Sequence, residues 1–171
     1  DGFKFGKRVR EFCKGNDGTI WIGTEDKGLF NFNPSTGRIQ PFVNPKIHNN
    51  VHGLCLDGEY LWVGTFSKGL NRIHLKNKEV KTYVKAIGEN TLNSNDIFSI
   101  YRSKTGVLWV GTTYGLLTYN RQTDDFTRIS ELNGIFVYDI QEDYSGNLWI
   151  ATYANGVYYL DKSTKRWNQF V

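Results

Sequence analysis

The sequence predicts an all-β fold assembled from four copies of one repeat. The first observation is a five-residue pattern, Leu/Ile-Trp-Val/Ile-Gly/Ala-Thr, whose tryptophans stand at positions 21, 62, 109 and 149. The second observation is the spacing of the pattern, because steps of 41, 47 and 40 residues are typical of propeller blades. The third is composition: aromatic residues make up 15% of the chain and there are 18 glycines but only 3 prolines, which favours short strands joined by tight turns.

Each repeat divides into four short apolar strands separated by turns rich in Gly, Asn, Asp and Ser. Four antiparallel strands per repeat are typical of a β-propeller blade. We therefore predict a single propeller segment over residues 1–171, with blades at about 9–43, 51–84, 97–129 and 137–171. An insertion at residues 85–95 accounts for the 47-residue step. No stretch carries the apolar periodicity of a helix, so none is predicted.

The tryptophan strand indicates why each repeat needs neighbours. Trp and Gly of the pattern point to one face of the strand, and the aliphatic residues point to the other. A blade has a neighbour on both faces, so we expect the indole rings to be buried between adjacent sheets. We expect the glycine to keep the sheet thin where the next blade approaches.

The terminal blades of such an array expose apolar faces, which usually find a partner. Phe3 and Phe5 alternate with Lys4 and Gly6, as in the last strand of a preceding blade. We therefore favour a segment of a larger ring of roughly six to eight blades. We also predict that two chains associate through their first and fourth blades, as a homodimer.

Charge and composition argue against several classes of protein. The net charge is +4, but the basic residues are scattered among acidic ones, which favours a mixed surface over a nucleic-acid site. No run of apolar residues reaches the length of a membrane helix. Cys13 and Cys55 lack metal-type spacing and are predicted to be free, buried thiols. The chain opens at Asp1 with no Met, as expected of a mature secreted protein or of a piece of a larger one.

The fourth repeat carries the most specific resemblance. From Val137 to Tyr159 it fits Ile-x-x-Ile-x-x-Asp-x-x-Gly-x-Leu-Trp-Ile-x-Thr, followed by Gly-Val and an aromatic-rich strand. This resembles the two-component regulator propeller repeat, and residues 97–119 match it as well. The first two copies depart from the pattern at the preceding turn, where Gly15 replaces the usual Asp and the second copy is shortened at Asp57-Gly58.

The resemblance implies a periplasmic sensor region of a hybrid two-component histidine kinase of Bacteroidetes. It implies a non-enzymatic segment that binds an oligosaccharide or its breakdown product and contributes to signal transduction. Membrane contact and kinase activity would then belong to downstream segments, and no catalytic residue, metal or other cofactor is predicted here.

Loops at one end of the blades are the predicted ligand-binding surface, because functional residues concentrate in loops on a rigid scaffold. Aromatic faces together with amide and charged hydrogen-bonding groups suit a sugar. The predicted binding residues are Arg8, His48, Asn50, His52, Phe66, Lys68, Asn95, Tyr114, Tyr153 and Asn155. His48 and His52 have helix-type metal spacing, but their surroundings predict a loop and no carboxylate completes a ligand set.

Two other functions stay open on the sequence. The blades are equally suited to a protein-interaction scaffold. A metal-dependent propeller lyase, resembling the streptogramin lyases, would need His and Glu to converge at the channel.

Overall fold

A computed structural model describes residues 4, 6 and 8–171 of the chain. Within these residues sixteen strands form four separate antiparallel sheets of four strands. Each sheet follows chain order, so each is one up-and-down blade, and the predicted all-β array of propeller blades is confirmed. Phe3 and Phe5, assigned above to a preceding strand, lie outside the described residues.

The strands of the first two blades, in chain order, are β1 (Val9–Lys14), β2 (Ile20–Thr24), β3 (Leu29–Asn33), β4 (Arg38–Phe42), β5 (Val51–Asp57), β6 (Tyr60–Thr65), β7 (Leu70–His74) and β8 (Val80–Tyr83). Those of the last two are β9 (Ile97–Arg102), β10 (Leu108–Thr112), β11 (Gly115–Asn120), β12 (Asp125–Arg128), β13 (Val137–Glu142), β14 (Leu148–Thr152), β15 (Val157–Leu160) and β16 (Trp167–Phe170). A three-residue 3-10 helix, Ser130–Leu132, precedes the last blade and corrects the prediction of no helix. One such turn is too short to show a periodic pattern.

The first strand of each blade is its innermost strand. β1 packs against β5, β5 against β9, and β9 against β13. Residues of all four strands line one cavity of about 390 Å³, which is the central channel of the array. No helix in the described part of the chain is long and apolar enough to cross a membrane.

Adjacent blades approach most closely at the glycine of the tryptophan strand. A Cβ atom added at these glycines would lie under 3 Å from a branched side chain that begins the next blade. The separations are 2.7 Å for Gly23 and Val51, 2.6 Å for Gly64 and Ile97, and 2.5 Å for Gly111 and Val137. The next blade therefore packs directly against this glycine, as its position in the repeat predicts. We call this contact point the glycine seat.

The tryptophans are buried where a blade follows them and exposed where none does. Trp21 and Trp62 are 5% and 1% exposed, and Trp109 is half-buried beside Trp167. Trp149, in the last blade, is 38% exposed. The expectation that all four rings are enclosed is therefore wrong for Trp149, because among the described residues no sheet covers the outer face of the fourth blade.

Blades two and three are also joined by charge at the end of the channel opposite the loops that the sequence predicts to bind ligand. The Asp57 carboxylate binds Arg102 at 2.8 Å and Arg121 at 2.5 Å. Further out, the Asp124 carboxylate accepts hydrogen bonds from Tyr83 at 2.5 Å and Tyr119 at 2.6 Å.

Arg72 and Lys81 join Tyr83 and Tyr119 around the Asp124 carboxylate, and we call these five residues the outer cluster. The Arg72 guanidinium lies 3.2 Å from the Asp124 carboxylate and 4.8 Å from the centre of the Tyr60 ring. Lys81 pairs with the same carboxylate. Two cations and two phenols from neighbouring blades thus converge on one acidic group.

Both cysteines are free thiols, as predicted. Cys55 is buried, and burial raises the pKa of its thiol to about 12. Cys13 is only half-buried, which corrects the prediction that both are buried. It lies on β1, in the first blade, whereas Cys55 lies on β5 between two blades.

Candidate ligand site at the channel mouth

Every innermost strand carries a β-bulge one residue from its start. The register of each ladder shifts around that position, leaving one extra residue without a direct partner. A bulge re-aims a side chain and increases local twist. The four bulged residues, one from each blade, are Arg10, His52, Phe98 and Tyr138. They stand at the same end of the channel, which we call the channel mouth.

An aromatic surface runs across the channel mouth from the second blade to the fourth. Its rings lie close enough to form one continuous series, with centroids 4.6 Å apart for His52 and Phe98, 4.6 Å for Phe98 and Phe136, and 5.3 Å for Phe136 and Tyr153. The last pair is stacked, with an interplanar angle of 19°. We call this series the mouth row, and its members are His52, Phe66, Phe98, Phe136, Tyr138 and Tyr153.

The loops that present the mouth row are held by a hydrogen-bonding pattern repeated in each blade. The threonine that ends the tryptophan strand donates its hydroxyl to a glycine carbonyl across the loop, at 2.8 Å for Thr65 and 2.7 Å for Thr152. The next residue then donates its N–H to the residue before the bulged strand. Phe66 bonds in this way to the Asn50 carbonyl, and Tyr153 to that of Phe136, both at 3.0 Å.

The mouth row includes three of the ten residues predicted to bind ligand: His52, Phe66 and Tyr153. Phe66 and Tyr153 are 41% and 73% exposed, so their rings are accessible. Burial is the main cause that lowers the pKa of the His52 imidazole, and the nearby charge of Arg10 acts in the same direction. Both effects favour the neutral form of the imidazole.

Two further predicted residues border the row. Arg8 precedes β1, and its guanidinium lies 3.5 Å from the Glu25 carboxylate. Asn50 lies directly before β5, where its Oδ1 atom is buried and accepts no hydrogen bond from the described residues. Its N–H donates to Nδ1 of His48 at 3.3 Å, so this histidine acts as an acceptor within the loop.

The remaining predicted residues lie away from the mouth row. His48 and Lys68 line a separate cavity of about 370 Å³ with Ile47 and Val84. Tyr114 is 54% exposed, and its carbonyl accepts hydrogen bonds from Gly134 and Asn93.

Asn95 and Asn155 have structural hydrogen bonds. The Asn95 side chain accepts the N–H of Lys85 at 2.6 Å and so closes the insertion between blades two and three. Asn155 donates its N–H to Thr152 and accepts from Gln169. Neither asparagine is brought to the mouth row.

The ten predicted binding residues leave out Arg10, Phe98, Phe136 and Tyr138, although residues 133–138 form one of the loops on the predicted face. For Arg10, Phe98 and Tyr138 a signal was present, because an aromatic or basic residue stands second in every innermost strand, as in Val51-His52-Gly53 and Val137-Tyr138-Asp139. Strict alternation places that second residue on a blade face. Only the bulge brings it to the channel mouth.

The architecture and the loop-borne site define a β-propeller segment with a candidate ligand surface at one end of its channel. Residues 4–26, 91–114 and 131–154 match the repeat family described as "Two component regulator propeller". These three stretches lie in the first, third and fourth repeats, and they confirm the resemblance inferred from the sequence.

Solved structures extend the comparison. The extracellular domain of the hybrid two component system BT4673 from B. thetaiotaomicron is 25% identical to this chain, with a TM-score of 0.82. The match covers 98% of this chain and 23% of the BT4673 chain. For the corresponding domain of BT3049 from the same organism the identity is 24%, the TM-score 0.79, and the coverage 95% and 21%. The chain therefore spans less than a quarter of the length of these relatives.

The fold is also shared with enzymes. Virginiamycin B lyase from Staphylococcus aureus is 14% identical, with a TM-score of 0.72, over 95% of this chain and 55% of that one. At that identity the likeness concerns the fold alone. A search of curated proteins finds no match to the sequence.

Proposed function

We propose that this propeller segment recognises a ligand, without catalysing a reaction, as part of the periplasmic sensor region of a hybrid two-component system. We propose an oligosaccharide, or its breakdown product, as the ligand. The observation that carries this proposal is the mouth row. The relatives described as extracellular domains of hybrid two component systems support the sensor role.

The shape and chemistry of the mouth row suit a chain of sugar rings. Six rings from three blades follow one another across the mouth, so one ligand can contact several blades at once. Phe66, Tyr138 and Tyr153 each expose two-fifths or more of their surface. Aromatic side chains combine a large apolar face with, in tyrosine, a polar group that reaches water.

We expect the Tyr138→Ala variant to bind its best oligosaccharide about three- to ten-fold more weakly than the native chain, because one stacking surface is lost. Isothermal titration calorimetry against a panel of neutral and acidic oligosaccharides measures this. Tyr144→Ala is the matched control, since Tyr144 is fully exposed in the β13–β14 turn at the other end of the blade. An equal loss in both variants, or no binding by the native chain, would refute the proposal.

The association of two chains through the first and fourth blades stays a prediction, and the structure makes it more specific. The outer face of the fourth blade carries an aromatic cluster in which Trp149 stacks on Phe170 at 6.2 Å. Ala151, however, stands where the other three blades have the glycine seat. In a dimer that repeats the internal interface, Val9 of a second copy would meet the Ala151 methyl group.

We therefore expect Ala151→Gly to strengthen self-association, because it restores the seat. Sedimentation equilibrium at micromolar concentrations compares the two chains, and Val9→Ala serves as the complementary change that relieves the same contact. If the native chain dimerises as strongly as Ala151→Gly, the internal interface is not the one that two chains repeat.

A further inference from the structure

The mouth row ends at the first blade on a cation instead of a ring. The bulged residue there is Arg10, in the place that His52, Phe98 and Tyr138 occupy in the other blades. β1 packs against β5, so Arg10 and His52 stand at equivalent bulge positions of adjacent strands. Aromatic surface and guanidinium therefore belong to one continuous site.

Two guanidinium groups share one carboxylate at this end of the row. Arg10 Nη2 lies 3.1 Å, and Arg8 Nε 3.5 Å, from the same Oε2 atom of Glu25. Among the described ion pairs, Glu25 is therefore the one carboxylate shared by both arginines. Asp96, the other carboxylate that acts on His52, accepts the N–H of Ser67 at 2.7 Å.

The side-chain N–H groups of Arg10 also have no hydrogen-bond acceptor among the described residues. Glu25 Oε2 is buried, yet it accepts no hydrogen bond, so the guanidinium approaches it without directing an N–H group at it. In the described part of the chain neither arginine donates a side-chain hydrogen bond to another residue. The Arg10 side chain is 29% exposed, whereas that of Arg8 is 68% exposed.

We infer that the channel mouth recognises an acidic saccharide, whose anionic group binds Arg10 while its sugar rings lie on the mouth row. This inference rests on the proposed function and adds the chemical class of the ligand. A guanidinium presents N–H groups in a planar fork that matches the two oxygens of a carboxylate. The half-buried setting of Arg10 reduces the competition from water that weakens such pairs at an open surface.

The test compares each acidic oligosaccharide with its carboxyl-reduced form, which has the same rings and linkages but no charge. Uronic-acid oligosaccharides of about four residues are the probes, titrated into the chain by calorimetry. We expect the acidic form to bind about ten-fold more tightly than the reduced form, as for a charge-assisted bidentate contact. We expect this preference to weaken as ionic strength rises.

Arginine variants show which cation causes the preference for the acidic form. Arg10→Gln should abolish the difference in affinity between the acidic and the reduced form, and a native-like circular dichroism spectrum checks that the variant is folded. Arg10→Lys should keep part of the preference, because it retains the charge without the fork. Arg8→Gln, at the more exposed guanidinium, is the matched control and should have the smaller effect.

The outcomes separate the two proposals. If acidic and reduced forms bind equally, the acidic-ligand inference is wrong while the saccharide site stands. If the preference exists but survives Arg10→Gln, the inference is also wrong, because another cation binds the anion. If neither form of any probe binds, the proposed function itself fails.

Discussion

Replacing Trp62 with alanine is expected to lower the free energy of unfolding by about 3–5 kcal/mol, the usual cost of truncating a large buried aromatic residue. Trp62 is 1% exposed between the second and third blades. Its ring stacks on Tyr83 at 5.6 Å and meets the edge of Tyr119, from the next blade, at 4.6 Å. Urea denaturation followed by circular dichroism measures the loss.

The same substitution at Trp149 is the matched control. It occupies the equivalent position in the repeat but is 38% exposed, because no described sheet covers it. We expect Trp149→Ala to cost about 1 kcal/mol, as for a partly exposed side chain. Equal losses at the two positions would contradict the conclusion that the tryptophans stabilise the array by filling the spaces between blades.

Replacing Asp124 with asparagine is expected to lower the free energy of unfolding near pH 7 by about 2 kcal/mol. The variant leaves the charge of Arg72, whose side chain is 20% exposed, without its acidic partner. The figure is kept below that for a fully buried pair because the Asp124 side chain is 32% exposed. Urea denaturation at several pH values provides the measurement.

The pH dependence of the unfolding free energy shows whether Asp124 stabilises the protein through its charge or through its shape. Partial burial raises the pKa of this carboxyl group, but the hydrogen bonds from Lys81, Tyr119 and Tyr83 outweigh it and hold the pKa well below its usual range. A lowered folded-state pKa stabilises the protein above the unfolded-state value of about 4, and the stabilisation is lost as the pH falls through the folded-state pKa. The unfolding free energy of the native chain should therefore fall more steeply below about pH 5 than that of Asp124→Asn.

Asp125→Asn is the control for this prediction. Asp125 is the adjacent carboxylate, but its side chain accepts a local hydrogen bond from Thr123 and takes part in no described ion pair. Its replacement should change neither the stability nor its pH dependence appreciably. If Asp124→Asn follows the native pH profile, the outer cluster does not stabilise the contact between blades two and three through charge.

Local patterning was sufficient to predict the fold. Four-stranded blades could be predicted from the tryptophan motif, its spacing and the glycine-rich turns. These signals depend only on contacts within one blade or on the one contact that every pair of blades repeats. The glycine seats at Gly23, Gly64 and Gly111 followed from the same pattern. The exposure of Trp149 did not follow, because it depends on whether another sheet covers the last blade and not on the motif itself.

The candidate site was only partly predictable. Phe66 and Tyr153 were found because they stand in loops whose position along the repeat fixes the end of the blade on which they lie. Phe98 and Tyr138 were missed because a bulge breaks the alternation from which the orientation of strand residues is inferred. The hydrogen bonds of Asn95 and Asn155 could not be predicted because their partners come from other strands and from the insertion.

The most direct test of the mouth row as a binding surface is a crystal structure of the chain with its tightest-binding oligosaccharide. We expect sugar rings in van der Waals contact, at about 4 Å, with Tyr138, Phe136 or Tyr153 at the channel mouth. A ligand bound at the opposite end of the channel, or on the outer edges of the blades with the mouth row in water, would contradict it.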